Sequence, residues 1–289
     1  MRPDSVNMLK SLLFLLLFGL VSSGLSAEAE ESSIELSVIS ANLNEAVALY
    51  ASGGGYIYVV EQGRHRFLRF DRHGSRLDSL GRVGAGDYRF DQPRDIDATN
   101  DLKIYVSDRQ NKRIQIFDRR LQYLTTVRLP QRAGAQEYTP SVLSVNRSGE
   151  LFFFDEDRYR IYRFGGTGRY EDHFDTRSSA DIRNLNGLIA LDDLFLADPD
   201  QQVVHRMSNN GTYLGFIEHA DVLNGIDSYN DKIWVLGDGA VYVYNTRGRL
   251  LHRFTFDPPQ PLVDLAVHGQ YIYFIGYDTL FKAERKSIE

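Results

Sequence analysis

Any chemistry in this 289-residue chain has to come from oxygen and nitrogen donors, because the sequence contains no cysteine. That excludes a disulfide framework, a thiolate metal site and a cysteine nucleophile. The most promising donors are Asp95, Asn186, Asn224 and Asp264, which stand at comparable places near the starts of short apolar segments. If such hard oxygen ligands converge they suit a cation such as Ca2+; the same residue types also turn a chain between strands. A second set is the acid–arginine pairs Glu61/Arg66, Asp108/Arg113 and Asp155/Arg160, each flanking a short polar turn. Recurrence favours a structural clamp across a hairpin over a ring of catalytic acids, since an active site normally occurs once. The histidines, His65, His73, His173, His205, His219, His252 and His268, occupy unrelated places and do not promise the converging donors a zinc site needs. Ser52-Gly-Gly-Gly55 lacks the Lys and Ser or Thr of a phosphate loop, and neither Gly-x-Ser-x-Gly nor a paired-histidine metalloprotease motif is present.

The elements that must position these residues are visible as a repeat. Tyr56–Glu61, Lys103–Asp108, Glu150–Asp155, Asp193–Asp198, Lys232–Gly237 and Tyr271–Gly276 share one pattern, aliphatic, aromatic, apolar, then acid or glycine. Their ends are 47, 47, 43, 39 and 39 residues apart, a period that marks a repeat architecture. Around the second copy, Arg94–Thr99, Ile104–Asp108, Arg113–Asp118 and Tyr123–Arg128 read as four short strands, separated by Asn-, Asp- and Gly-bearing turns. Four strands per unit make a blade. The aromatic column Tyr58, Tyr105, Phe152, Phe195, Trp234 and Tyr273 suits sheets packed face to face about an axis. The expected fold is therefore all-β, a six-bladed propeller of four-stranded antiparallel blades. The last unit, from about Pro261, has room for three strands only, so Ile34–Ile39 is expected to pair with Leu280–Arg285 and close the ring.

Residues 1–29 fall outside that domain, which is expected to occupy 30–289. Leu12–Val21 is an apolar run following Lys10 and leading to small residues, the layout of a signal peptide with cleavage after Ala27 or Ala29, or otherwise an N-terminal anchor. The run is too short to span a bilayer as a helix, so no transmembrane span is expected after cleavage, and the chain is expected in the periplasm or outside the cell. A formal net charge of −6 works against non-specific nucleic-acid binding, which depends on neutralising phosphates.

At the second-to-third-strand hairpin, Ile104-Tyr-Val-Ser-Asp-Arg-Gln-Asn-Lys-Arg-Ile-Gln-Ile-Phe-Asp118 resembles the NHL repeat, a strand ending in Asp, an Asn-containing turn, then Arg-Ile and an aromatic. Glu61–Phe70 and Asp155–Phe164 keep the spacing, and Gln92-Pro-Arg-Asp95 looks like the entry of such a unit. Later copies depart from it: Val203 replaces the Arg, and Gly237 and Gly276 replace the acid. The resemblance implies a six-bladed propeller and much less about activity. Among relatives of this kind, amidating lyases hold a metal with axial histidines, which this sequence does not align. Lactonase-type enzymes hold an axial calcium, for which Asp95, Asn186, Asn224 and Asp264 are the matching positions here.

The expected function is an exported, non-catalytic binding or scaffold module without a cofactor. Its protein, glycan or small-molecule partner is expected on the face formed by the second-to-third-strand turns and the blade links, with Arg64, His65, Arg109, Lys112, Arg158 and Tyr159 as candidate contacts. The alternative is a hydrolase or lactonase using an axial Ca2+.

Overall fold

The computed structural model describes residues 29–99, 101–130, 137–219 and 221–285. The expected leader lies outside the described residues apart from Ala29, and Glu31 opens the unit that carries the fold. No helix among the described residues is long and apolar enough to cross a membrane.

Two N-terminal strands, β1 (Glu30–Ser33) and β2 (Ser37–Ala41), precede six sheets. Blade one is β3 (Ala46–Ala51), β4 (Tyr56–Glu61), β5 (Arg66–Asp71) and β6 (Arg76–Leu80). Blade two is β7 (Pro93–Asp97), β8 (Lys103–Asp108), β9 (Arg113–Asp118) and β10 (Tyr123–Thr126). Blade three is β11 (Pro140–Val145), β12 (Leu151–Asp155), β13 (Arg160–Phe164) and β14 (Tyr170–Asp175), followed by the single-turn helix α1 (Thr176–Ala180). Blade four is β15 (Gly187–Ala190), β16 (Asp193–Asp198), β17 (Val203–Ser208) and β18 (Tyr213–Glu218). Blade five is β19 (Gly225–Tyr229), β20 (Lys232–Leu236), β21 (Ala240–Asn245) and β22 (Leu250–Thr255); blade six is β23 (Leu262–His268), β24 (Tyr271–Gly276) and β25 (Thr279–Glu284). Every pairing within a blade is antiparallel, and successive first strands contact one another in a closed ring.

The core consists of six apolar clusters, each formed between two neighbouring blades. The aromatic column explains this layout. Tyr58, Tyr105, Phe152, Phe195, Trp234 and Tyr273 are buried one per cluster, each against the following blade. Burying one large side chain contributes about 1.5–3 kcal/mol, so this register alone supplies much of the cohesion between blades.

The ring closes in blade six, where β2 supplies the fourth strand that the strand count requires. β2 pairs with β25, with Ser37 opposite Lys282 and Ala41 opposite Thr279. The closing strand thus starts three residues later than the alternation of Ile34–Ile39 indicates. Ile34 instead lies in the crossover between β1 and β2, buried in the cluster of blades five and six, with its N–H donating to Thr255 O at 2.9 Å. β1 adds a fifth strand to the outer edge of blade five, where Ser32 Oγ lies 2.8 Å from His252 Nε2.

The acid–arginine clamps form, with one change of partner. Glu61 binds Arg66 and Arg64, and Asp108 binds Arg113 at 2.7 Å, but Asp155 is bridged by Arg158 at 3.3 Å. Each buried acid also accepts an N–H from the link entering its own blade, Asn44 N for Glu61, Asp91 N for Asp108 and Thr139 N for Asp155. In blade four, where Val203 displaces the arginine, His205 supplies the partner from two residues further along, its Nε2 3.5 Å from Asp198.

Candidate axial binding site

The first strand of each blade leaves one edge facing the axis, and its N–H groups need acceptors there. Asp97 stands opposite Tyr105 and Asp227 opposite Trp234 in the strand pairing, so these acids share the register of the aromatic column and point at the following blade. Asp95 and Asp264 repeat the geometry one layer away, two strand residues or roughly 7 Å along the axis. Each carboxylate laces its blade to the next. Asp95 Oδ2 accepts from Leu143 N at 2.7 Å, Asp97 Oδ2 from Val145 N at 3.0 Å, Asp227 Oδ2 from Val267 N at 2.6 Å and Asp264 Oδ2 from Leu49 N at 2.8 Å. The other oxygen of each accepts a nearby N–H of its own strand end, those of Ile96, Thr99, Ser228 and Leu265. Where no acid is present, Ser144 Oγ accepts from Ala190 N at 3.1 Å and Tyr50 OH meets Thr99 Oγ1 at 3.0 Å.

These groups line an axial cavity of about 370 Å³. Its wall runs from Arg94 and Asn186 at the strand starts to Gly53, Arg147, Asn230 and Asp231 in the hairpins that join first strands to second strands. The carboxyls are partly open to a narrow lumen and otherwise enclosed by protein, so loss of hydration dominates their ionisation. Burial pushes Asp95 up to about 7, against the pull of the Leu143 and Ile96 N–H groups and Arg94. Asp227 is pushed up to about 7 and Asp97 to about 6 by the same cause, and Asp264 rises well above the ordinary carboxylate range, with Asp95 and Asp227 adding repulsion. Packing around the acids is close: a Cβ on Gly225 would stand 2.6 Å from Asp264 Oδ1.

Of the four sequence-predicted axial donors, Asp95, Asn186 and Asp264 line the cavity and Asn224 does not. Asp97 and Asp227 were not among the candidates, although their place opposite the aromatic column marks them. Calcium takes six to eight oxygen ligands. Here both oxygens of Asp95 and of Asp264 already accept backbone N–H groups, and among the four only Asn186 Oδ1 is buried without a hydrogen-bond partner. Among the described residues no three His, Asp or Glu side chains are placed to hold a metal.

The link-face candidates lie away from the cavity and are held by intramolecular contacts. Arg64 donates to Asn42 O at 2.9 Å, and His65 Nδ1 accepts from Gln92 N at 3.2 Å. Arg109 binds Glu156 at 2.6 Å across blades two and three, and Lys112 binds Glu137 at 2.9 Å. Arg158 holds Asp155, and Tyr159 lies under the Arg177 guanidinium at 5.6 Å.

Five four-stranded sheets and one of five strands, arranged in a ring, define a repeat-built β-propeller. The family model of the NHL repeat matches residues 90–117, the end of the first link and most of blade two. No curated protein matches it in sequence. Among solved structures it is similar to a gluconolactonase from Xanthomonas campestris, with a TM-score of 0.68, 16% identity and coverage of 86% of this chain and 89% of that one. It is also similar to a streptogramin B lyase (TM-score 0.62, 14% identity, 89% and 88% covered). A virginiamycin B lyase from Staphylococcus aureus, determined with quinupristin, gives a TM-score of 0.60 at 12% identity, with 88% and 89% covered. At these identities the likeness is one of fold.

Proposed function

We propose that this chain is an exported binding propeller that takes a small organic cation into its axial cavity. The observation that carries the reading is the cavity itself, which brings four carboxyls from three blades to one lumen in two layers. An amine entering it meets carboxyl oxygens, with Arg94 and Arg147 also in the wall, and Tyr229 and His268 offer aromatic faces at the hairpin end. The link face, by contrast, has its charged groups occupied. Export rests on the apolar run Leu12–Val21 and its small-residue flank.

Binding a cation favours the charged carboxylates, so uptake of an amine near pH 7 releases protons. Calorimetry with spermidine in two buffers of different ionisation heat should show that release, and Asp227→Asn or Asp264→Asn should weaken binding at least about tenfold. No heat and no thermal shift with any amine at millimolar concentration would sink the proposal.

A second reading, a hydrolase or lactonase with an axial divalent cation, is favoured by the partnerless Asn186 Oδ1 and by the likeness to a gluconolactonase. Its test is a calcium-induced rise in melting temperature that Asn186→Ala removes.

A further inference from the structure

A second cavity, of about 580 Å³, opens beside the first on the hairpin face, between the hairpins of blades three, four and five. The two share Arg147, Leu191 and Asp231 as lining residues. Arg147 in the blade-three hairpin donates to Asp231 in the blade-five hairpin at 3.0 Å, reaching past blade four, whose hairpin at Leu191 and Asp192 is short enough to pass beneath it. The ion pair therefore sits at the junction of the two cavities, and both its members are mostly exposed.

The outer cavity differs in chemistry from the axial one. Apart from the exposed Asp192, its charged residues are paired, Arg206 with Asp193 at 2.7 Å and Glu150 with Arg163 at 3.0 Å. What it offers a ligand is the Thr246 hydroxyl and the Asn209 amide, the side chains of Asn146 and Ser148 being bonded to each other and to Glu150. Asn209 Oδ1 is buried there without a hydrogen-bond partner, while its amide donates to Leu191 O at 3.1 Å. Paired charges beside neutral donors and acceptors match the hydroxyls of a sugar better than a further charge.

We infer that the ligand is elongated, an oligosaccharide carrying a free amino group, with the amine in the axial cavity and the following sugar units over Arg147–Asp231 in the outer pocket. This rests on the cation reading above and extends it. A ligand confined to the axis leaves the outer pocket unused, whereas a purely neutral glycan leaves the carboxyls unused.

The test is titration calorimetry with glucosamine, its β-linked oligomers and their N-acetylated counterparts. The oligomers should bind at least about tenfold more tightly than the monomer, and N-acetylation should remove most of that affinity. Thr246→Trp, which fills the outer pocket and lies outside the axial cavity, should abolish the gain with length and leave monomer binding unchanged. A monomer that binds as well as its oligomers overturns this inference and leaves the cation reading standing; so does an equal gain with a linear polyamine. Failure of every amine to bind overturns both.

Discussion

The two faces of the disc draw on the same residue types and use them in opposite ways. On the link face Glu61, Asp108, Asp155 and Asp198 are buried, and each ties a turn or an incoming link to its blade. Along the axis and at the hairpin face the acids still lace blades together, but they border open space, and the pair Arg147–Asp231 is held by nothing but itself and its hairpins. Charge that is enclosed builds the fold; charge that borders a cavity remains able to meet a ligand.

The strongest way to break this contrast is Asp108→Ala. It leaves Arg113 and the Asp91 N–H without their acceptor, and should lower stability in urea unfolding by about 3 kcal/mol while ligand binding by the folded protein is unchanged. If binding falls with no loss of stability, the link face is a functional surface after all.

A smaller effect is expected at the axis, and its sign is set by the raised carboxyls. Asp227 titrates at about 7 in the fold and about 4 when unfolded. Its contribution is fully present below about pH 4 and is lost as pH rises to about 7, because the unfolded chain ionises first. Stability should therefore fall between about pH 4 and pH 7, and Asp227→Asn should shrink that fall by about 1–2 kcal/mol. An unchanged pH profile would show that the axial acids are ionised throughout.

The smallest effect sharpens the comparison from the other side. Lys112 and Glu137 form an exposed pair on the link face, so Lys112→Ala should change stability by less than about 0.5 kcal/mol and binding not at all.

The fold was legible because one register, the aromatic column, repeats in every blade, and its burial decides how blades meet. The closing strand was legible in kind but not in phase: Ile34 and Leu36 alternate like strand residues, yet they pack on blades five and six from a crossover. At the axis, Asp95 and Asp264 were found by position. Asp97, at the end of β7, and Asp227, in the middle of β19, were not read as axial groups. Asn224 precedes β19 just as Asn186 precedes β15, yet of the two only Asn186 lines the cavity. The outer pocket had no sequence signature at all, since it depends on the relative lengths of three hairpins from different blades.

The pairing of β2 with β25 has a consequence for how the molecule comes to exist. Ser37 Oγ bonds Lys282 O from 245 positions away, so the last blade is completed only when the most distant parts of the chain meet. Contacts of such sequence separation form late. Five blades can assemble in order while the circle stays unlatched, and only the meeting of these two distant segments locks it.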